Sequence, residues 1–324
     1  MKKQLFLFLV ANLVVLNFTF GQACDNALKP MAGKSYPYSV TVNPTGGTFD
    51  WYVTSDTNIL TGAHIASGSA GGNILVAGTG YNDPAATVAT IDIIWSSAAV
   101  AAATAGTKYF LVVKYTTSCS NNLKPWLIAP INLFQIAVEN VNSTGAAYAD
   151  ICRSAVIGAT VESNNTVTYN YGENALYLKV TANNFTTSWT PKVDMTVLNG
   201  SITSPQTVKS MEWSLTTTFT GTSNFNLTTG VATTVVPDKG GDNITTGTDE
   251  YVYIKIVVQD GKFEGIADQS LALNLSAVDA GLNADVDVDP TTCLAVAEND
   301  NVAQVLKARP SITNPSPTPF LTAN

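Results

Sequence analysis

Aspartates at alternate positions are the side chains of this sequence best spaced to bind a cation. Asp285, Asp287 and Asp289 are each separated by one apolar residue, so a strand would place their carboxylates on one face. Like charges on one face repel each other unless a cation neutralises them. Calcium would do so, because it takes about six to eight oxygen ligands. Asp279 could supply a further ligand from the preceding turn. We therefore expect either a calcium site at these residues or a solvated acidic edge that prevents edge-to-edge pairing of sheets.

No pattern of residues in the chain indicates catalysis. His64 is the only histidine, and it lies between Gly62 and Gly68 without a neighbouring nucleophile. Carboxylate pairs for hydrolysis can form across sequence distance, but nothing in the sequence selects a pair. We expect a protein that is not an enzyme and that has no cofactor apart from the calcium considered above.

Tryptophans are the candidates for binding sugar rings. Trp51 and Trp95 lie within strand patterns, so we expect them in a core. Trp126 follows Pro125 in an interdomain stretch, where it would be exposed or packed at a domain junction. Glycan binding is the alternative function. It requires a row of exposed aromatic residues on one sheet face or loop edge, and it fails if Trp126, Trp189 and Trp213 are all inaccessible.

The beginning of the chain has the features of a secretory signal peptide over residues 1–23. Lys2 and Lys3 precede an apolar run from Leu5 to Phe20, after which the sequence becomes small and polar. Lipidation of Cys24 is a weaker alternative, because the three residues before it do not form the usual lipobox. No later segment is long and apolar enough to span a membrane, so we expect an exported protein at the cell surface, outside the cell or in the periplasm.

An exported chain meets an oxidising compartment, where cysteines pair. The four cysteines, Cys24, Cys119, Cys152 and Cys293, allow three connectivities. Cys24 opens the first segment and Cys119 closes it, while Cys152 and Cys293 bracket the second segment. We therefore expect the bridges Cys24–Cys119 and Cys152–Cys293, each confined to one domain. The chain has no CxxC motif, which argues against a zinc site.

The composition is that of a secreted β protein. Charged residues make up only 12% of the 324 residues, hydrophobic residues make up 45%, and the formal net charge is -8. An acidic surface of this kind does not attract nucleic acid.

Short alternating segments separated by turns predict an all-β fold of two sandwiches in tandem. The Ala-rich stretch Ala98 to Ala103 is expected to connect strands, and the stretch from Ser120 to Pro130 to lead to a domain boundary near Leu133. A proline-spaced tail follows at residues 310–324, typical of a linker or peptide ligand. The strands that we predict are Tyr38–Val42, Thr48–Thr54, Asn73–Ala77, Val88–Trp95, Tyr109–Tyr115, Phe134–Val141, Val167–Tyr171, Leu176–Thr181, Lys192–Leu198, Ser210–Phe219, Ala232–Val236, Tyr251–Val258 and Leu271–Ala277.

The first segment resembles a known group of domains. Residues 46–53 (GGTFDWYV), 91–95 (IDIIW) and 109–113 (YFLVV), with Cys119 after them, resemble the PKD-like or Ig-like repeats of secreted Bacteroidetes proteins. The resemblance covers about a third of the chain and implies a role in surface structure or adhesion, of the type associated with gliding motility and type IX secretion. The chain departs from that type because it shows no C-terminal secretion domain.

These observations predict an Ig-like or PKD-like sandwich at 24–132, a larger sandwich at 133–309 and the tail at 310–324. The function that we expect is structural or adhesive, through contacts with a protein partner or with other copies of the chain. Strand edges would supply such contacts by strand addition.

Overall fold

A computed structural model describes residues 24–65, 67–68, 75–76, 88–148, 150–185, 187–238, 250–261, 267–289, 293–294, 296–297, 300–310 and 322–323. The predicted signal peptide lies outside the described residues, as do residues 311–321 of the predicted tail. The fold is all-β with two sandwiches in tandem, which confirms the predicted fold class.

The first sandwich, as we name the part from Cys24 to Asn132, is built from short strands. Its elements are β1 (Ser35–Ser39), β2 (Thr48–Thr54), β3 (Ser67–Gly68), β4 (Leu75–Val76), β5 (Thr90–Ile94), α1 (Ser97–Thr104), β6 (Tyr109–Thr116) and β7 (Asn121–Ile128). β1 pairs with β5, β3 pairs with β4, and β6 lies between β2 and β7 in a three-stranded sheet. The buried core between these sheets is rich in aromatic residues, among them Trp51 and Trp95, which are both 0% exposed as predicted for core residues.

The second sandwich is larger and consists mainly of two five-stranded sheets. Its elements are β8 (Gln135–Val141), β9 (Asp150–Cys152), β10 (Gly158–Val161), β11 (Thr166–Asn170), β12 (Glu173–Asn183), β13 (Ser188–Val193), α2 (Met195–Ser201), β14 (Thr207–Ser214), β15 (Ser223–Asn224), β16 (Val236–Pro237), β17 (Glu250–Gln259), β18 (Gln269–Asp279), β19 (Asn301–Lys307) and β20 (Thr322–Ala323). The sheet orders are β15-β14-β17-β12-β8 and β16-β13-β18-β19-β9, and a third, smaller sheet has the order β10-β11-β20.

Strict alternation of apolar residues explains the core of the second sandwich. Leu176, Leu178 and Val180 of β12 face Val252 and Ile254 of β17 across the register Leu178↔Ile254, and all five are 0% exposed. Because side chains of a strand alternate between faces, these positions form one continuous apolar layer. The layer packs against the inner face of β18 in a single hydrophobic cluster.

Two segments adopt helix where the sequence analysis predicted a strand or a connection. The predicted strand Lys192–Leu198 ends at Val193, because the Asp194 carboxylate accepts hydrogen bonds from the backbone N–H groups of Thr196 (2.8 Å) and Val197 (3.2 Å) and caps α2. The Ala-rich connection is α1, whose N-cap Ser96 accepts from the backbone N–H of Ala99. Alanine has the highest intrinsic helix propensity, and a cap was enough to start the helix.

The stretch that the sequence analysis assigned to an interdomain connection is a strand. β7 pairs antiparallel with β6 over its whole length, with the register Tyr109↔Ile128 to Thr116↔Asn121. Pro125 cannot donate a backbone hydrogen bond, but β7 is an edge strand, where proline is tolerated.

The predicted disulfide pairs are wrong, and the structure joins Cys24 to Cys293 instead. Cys119 lies in the exposed turn between β6 and β7, and β7 carries the chain back by about 25 Å, at about 3.3 Å per residue, before it reaches the second sandwich. Cys152 is exposed and pairs with Lys307 at the end of β19, whereas Cys293 precedes the start of β19. Cys119 is therefore not near Cys24, and Cys152 is not near Cys293.

The two sandwiches meet at what we call the junction end of the second sandwich. Beside the Cys24–Cys293 disulfide, the Asn132 side chain donates to the carbonyl of Ala284 (2.7 Å), and the backbone N–H of Val286 donates to the carbonyl of Phe134 (2.8 Å). The disulfide packs with Met31 and Leu133 in a small buried cluster. It therefore ties the beginning of the first sandwich to the second sandwich rather than closing either one.

The opposite end of the second sandwich, the far end, contains a buried ionic cluster. Asp260 is 0% exposed, and its carboxylate lies 3.0 Å from Arg309 Nη2 and 3.8 Å from Arg153 Nη1. Asn174 and Gln206 donate their side-chain amides to the same carboxylate, at 2.8 and 2.6 Å. Burial lowers the pKa of Arg153, and the Asp260 charge opposes that shift. The cluster fixes Arg309 at the point where the chain leaves the last long strand.

Candidate binding groove

An open groove runs along the side of the first sandwich, between the segment 40–43 that follows β1 and the edge strand β7. Its volume is about 410 Å³. We call it the Trp126 groove, and its lining consists of Val40, Thr41, Val42, Asn43, Val113, Tyr115, Asn122, Leu123, Lys124 and Trp126.

The groove exists because the two sheets of the first sandwich differ in width. β7 extends the sheet β2-β6-β7 by one strand, whereas the facing sheet described by the structure contains only β1 and β5. Residues that face each other in an antiparallel sheet point to the same side, so Trp126, opposite the buried Leu111, points toward the core. Trp126 is nevertheless only partly buried, as is Tyr115, which lies on the same face of the sheet. Side chains of the core type are thus left open at this edge.

The aromatic rings of the groove are held by the core and by hydrogen bonds. The Trp126 ring stacks on the buried Trp51 ring with centroids 6.0 Å apart and an interplanar angle of 9°. Tyr115 packs against Phe49 at 4.8 Å, and its hydroxyl accepts from the backbone N–H of Gly47 (2.7 Å) and donates to the carbonyl of Pro44 (2.9 Å). Neither ring needs to be ordered when a ligand binds, which lowers the entropy cost of binding.

Gly47 is the residue that lets Tyr115 approach this closely. A Cβ at position 47 would lie 2.4 Å from the carbonyl oxygen of Thr116 and 2.6 Å from the Tyr115 ring. Glycine at this position therefore has a packing reason, and it belongs to the Gly-Gly pair of the sequence resemblance.

The polar side chains of the groove include several hydrogen-bond donors. The Lys124 ammonium and the side-chain amides of Asn43 and Asn122 line an otherwise apolar surface, and no carboxylate lines it. A partly apolar ligand with hydrogen-bond acceptors fits such a surface better than a cation.

The four candidate calcium ligands do not form a cluster. Residues 284–289 are not a strand, so the expected alternation on one face is absent. The Asp279 carboxylate accepts from Asn283, at 2.8 Å from the backbone N–H, and the buried Asp285 carboxylate accepts from the backbone N–H of Ala277 (2.5 Å). Burial raises the pKa of Asp285. Asp287 and Asp289 are partly exposed, and no group of three or more His, Cys, Asp or Glu residues suited to a metal occurs within the ranges described.

The other candidate side chains from the sequence, apart from Trp126, pack against neighbouring side chains. His64 stacks on the Tyr52 ring at a centroid distance of 3.9 Å. Trp189 and Trp213 are 0% and 6% exposed and belong to the core of the second sandwich. Trp126 is therefore the one member of the expected sugar-binding row that lies at an open surface. Among the helices that the structure describes, none has the length and apolar character needed to cross a membrane.

Among the residues that line the groove, Trp126 was the one candidate from the sequence. Val40 to Asn43 and Asn122 to Lys124 are ordinary strand and turn residues whose types indicate no chemistry. The turn residues 117–120 between two runs of strand formers were the signal for the β6–β7 hairpin, and Pro125 obscured it.

Comparisons with known proteins give only remote likenesses. No protein-family model matches the chain, and no curated protein matches it. The C-terminal domain of the antigen I/II polypeptide BspA of Streptococcus agalactiae aligns with 8% identity over 87% of this chain and 96% of that chain, with a TM-score of 0.28. The C-terminal domain of the antigen I/II-family protein AspA of Streptococcus pyogenes aligns with 7% identity over 87% and 95%, with a TM-score of 0.30. The collagen adhesin of S. aureus aligns with 9% identity over 86% and 89%, with a TM-score of 0.22. These TM-scores are too low to establish a shared domain arrangement or function.

Proposed function

We propose that this protein is a non-catalytic, exported structural or adhesion protein that acts through protein–protein contacts, and that the Trp126 groove holds an extended segment of its partner. The observation that carries the proposal is the uncovered inner face of β7. Trp126 of β7 and Tyr115 of the neighbouring β6 lie on this face, pack against the core of the first sandwich and yet stay partly open to solvent. A bound segment would bury them as a further strand of a sandwich does.

Two observations support export. The residues at 1–23 have the pattern of a cleaved signal peptide, and Cys24, which follows them, forms a disulfide with Cys293. Disulfides form and persist in oxidising compartments outside the cytosol.

The proposal extends to the origin and organisation of the protein. The resemblance at residues 46–53 and 91–95 favours a surface protein of Bacteroidetes, as an accessory of gliding motility or type IX secretion. The domains would be 24–132, 133–309 and a tail at 310–324. Loss of gliding in a deletion strain, restored by the wild-type gene and not by Trp126→Ala, is the outcome that this part of the proposal predicts.

Carbohydrate binding is the second candidate, and the groove gives it one specific observation. The Trp126 ring and the amides of Asn43 and Asn122 combine a stacking platform with hydrogen-bond donors. The apolar side chains beside them, Val40 and Leu123 among others, favour a polypeptide over a hydroxyl-rich ligand.

Site-specific crosslinking in the native cells distinguishes the two. A photoreactive phenylalanine analogue at position 123 should crosslink to a polypeptide, and peptide mapping should place the crosslink on one defined segment. Trp126→Ala should abolish the crosslink. Leu127→Ala should preserve it, because Leu127 is 54% exposed on the same strand and does not line the groove. Binding to a glycan array that Trp126→Ala removes, without any mapped polypeptide crosslink, would replace the proposal with carbohydrate binding.

A further inference from the structure

We infer that the segment held in the Trp126 groove is the proline-spaced segment 310–321 of a second copy of this chain, so that copies join head to tail. The inference rests on the proposed function of the groove and names its occupant. It joins three features: an aromatic groove on the first sandwich, a proline-spaced segment that starts at the far end of the second sandwich, and a distance that keeps the segment from its own groove.

The composition of the segment suits the groove. Pro310, Pro315, Pro317 and Pro319 fix backbone φ and favour the polyproline II conformation, and the segment contains no ionisable side chain. Proline-rich segments bind in aromatic-lined grooves because little conformational entropy is lost on binding. An uncharged segment also avoids repulsion by a chain of formal net charge -8.

The dimensions of segment and groove agree. Trp126 pairs with Leu111 of β6, and Tyr115 lies four residues after Leu111 on the same strand. The Trp126 and Tyr115 positions are therefore about 13 Å apart along the strands, at about 3.3 Å per residue. Pro315 and Pro319 are also four residues apart, which is about 12 Å at about 3.1 Å per residue in polyproline II. One ring can therefore contact each of these prolines, with Pro317 over the middle of the groove.

The hydrogen-bonding groups agree as well. Proline offers a carbonyl acceptor and no backbone donor, and the groove offers donors from Asn43, Asn122 and Lys124. Pro125 interrupts the outer edge of β7, because it leaves one backbone N–H missing from the row that a new strand would need. Docking across the groove is thus favoured over strand addition to β7, the mode that the sequence analysis expected of strand edges.

The structure fixes both sides of the segment at the far end. Arg309 is held by Asp260 at 3.0 Å, and its guanidinium lies over the Tyr171 ring at 4.1 Å. After the segment, Thr322 and Ala323 pair in parallel with Thr166 and Val167 of β11. The residues on both sides of the segment are therefore attached to the second sandwich.

The segment cannot reach the groove of its own chain. β12 runs from Glu173, opposite Gln259 at the far end, to Asn183, opposite Gln135 at the junction end, a length of about 33 Å at about 3.3 Å per residue. Pro315 lies six residues after Arg309 and extends at most about 20 Å from it, at about 3.3–3.6 Å per residue. A second copy must supply the groove, and a contact between different surfaces of identical chains produces rings or filaments.

A complementation experiment by analytical ultracentrifugation tests the inference. Every chain is the full mature protein with Cys119→Ser and Cys152→Ser, because these exposed thiols could crosslink copies. The parent chain should gain mass with concentration. Trp126→Ala removes the groove, and the triple variant Pro315→Gly/Pro317→Gly/Pro319→Gly removes the stiff segment. Each should associate at least about tenfold more weakly than the parent.

The mixture of the two variants is the decisive sample. Each variant keeps the surface that the other lacks, so an equimolar mixture should form one-to-one dimers and nothing larger. Leu127→Ala is the matched control and should associate like the parent. The triple variant leaves both cores intact, so it remains informative if Trp126→Ala weakens folding. A parent chain that stays monomeric at all concentrations, or a mixture without dimers, overturns the inference.

The crosslink at position 123 separates this inference from the proposed function. A map that places the crosslink on residues 310–321 of a second copy supports both. A map that places it on a different polypeptide leaves the proposed function in place and overturns the head-to-tail contact.

Discussion

The first and second sandwiches reach stability by different means. Among the residues that the structure describes, seven of the 15 buried residues in the core cluster of the first sandwich are aromatic, whereas five of 25 are aromatic in the second. Tyrosine and tryptophan bring polar groups into a core, and those groups must find partners. In the first sandwich the Tyr38 hydroxyl donates to the carbonyl of Ala27 (2.6 Å) and accepts from Trp95 Nε1 (3.2 Å). The Tyr36 hydroxyl bonds to Asp25.

The small sandwich is therefore stabilised by hydrogen bonds of its aromatic side chains, and the large one by apolar layers. Short strands bury little area, so large rings supply the apolar contact, and their hydroxyls bind the segment after Cys24 to the core. The second sandwich has strands long enough for aliphatic layers, and its costly polar groups are gathered in the cluster around Asp260.

The largest expected effect is confined to the second sandwich. Asp260→Ala should lower its free energy of unfolding by about 3–5 kcal/mol, because it leaves Arg153 and Arg309 without their buried counter-ion. Calorimetry should show the loss in the transition of the second sandwich only. Asp268→Ala, which removes an exposed partner of Lys307, should change little because solvent screens that pair. Equal losses in both transitions would show that the sandwiches do not unfold as distinct units.

Loss of the disulfide should separate the thermal unfolding transitions of the two sandwiches. Cys293→Ser removes a link between residues 269 positions apart and should cost about 2–4 kcal/mol, mainly in the first sandwich, whose beginning is released. Two thermal transitions should move apart in the variant. Cys119→Ser is the matched control, since Cys119 is exposed and forms no disulfide. An unchanged melting curve for Cys293→Ser would contradict a linking role for this bond.

Alkaline pH should unfold the first sandwich before the second. Burial raises the pKa of Tyr38 to about 12, and burial together with the hydrogen bond to Asp25 raises the pKa of Tyr36. A phenol whose folded pKa lies above the ordinary value of about 10 contributes stability that is complete below about pH 10 and is lost as the pH rises toward 12. Near-ultraviolet circular dichroism against pH should report this loss.

Variants with phenylalanine test the alkaline prediction. Tyr38→Phe should flatten the pH dependence of the first sandwich above about pH 10, because the ionising group is gone. A dependence that persists unchanged in both Tyr38→Phe and Tyr36→Phe would show that other groups cause it.

The smallest expected effect compares one substitution in the two cores. Trp95→Phe should cost about 1 kcal/mol more than Trp189→Phe, because Trp95 Nε1 donates to the Tyr38 hydroxyl, whereas the buried Trp189 Nε1 has no acceptor among the residues that the structure describes. Both rings are 0% exposed, so the loss of apolar contact is similar. Chemical denaturation of the two single variants measures the difference, and equal costs would mean that the hydrogen bond adds nothing.

The local sequence pattern predicted the strands in which apolar and polar residues alternate. It missed the strands whose formation depends on the neighbouring strand. β2 has the predicted bounds Thr48–Thr54, and the predicted Tyr251–Val258 forms most of β17. β7 was missed because Pro125 is tolerated only when the strand lies at an edge, which the sequence does not state. β19 was missed because its register partners on β18 are 27 to 37 positions earlier in the chain, and those on β9 are 155 positions earlier.

The candidate site was predicted only in part, for a related reason. The sequence drew attention to Trp126 and to the proline-spaced tail, because both residue types are unusual in their surroundings. The groove itself joins residues 40–43 to residues 122–126 and arises from the unequal widths of two sheets. Likewise, the aspartates at 285–289 were expected on one face of a strand, but Asp285 turns inward to bind the backbone of Ala277.

The sequence by itself determined the all-β class, the alternation that builds both cores and the uncharged, proline-spaced character of the tail, because these follow from local residue types and their periods. Tertiary structure alone decided that Cys24 bonds to Cys293, that Asp260 holds Arg309 at the far end, and that the Trp126 groove stays open. Each of these depends on which residues meet across more than 40 positions, and that is set by how sheets pair and pack rather than by any local pattern.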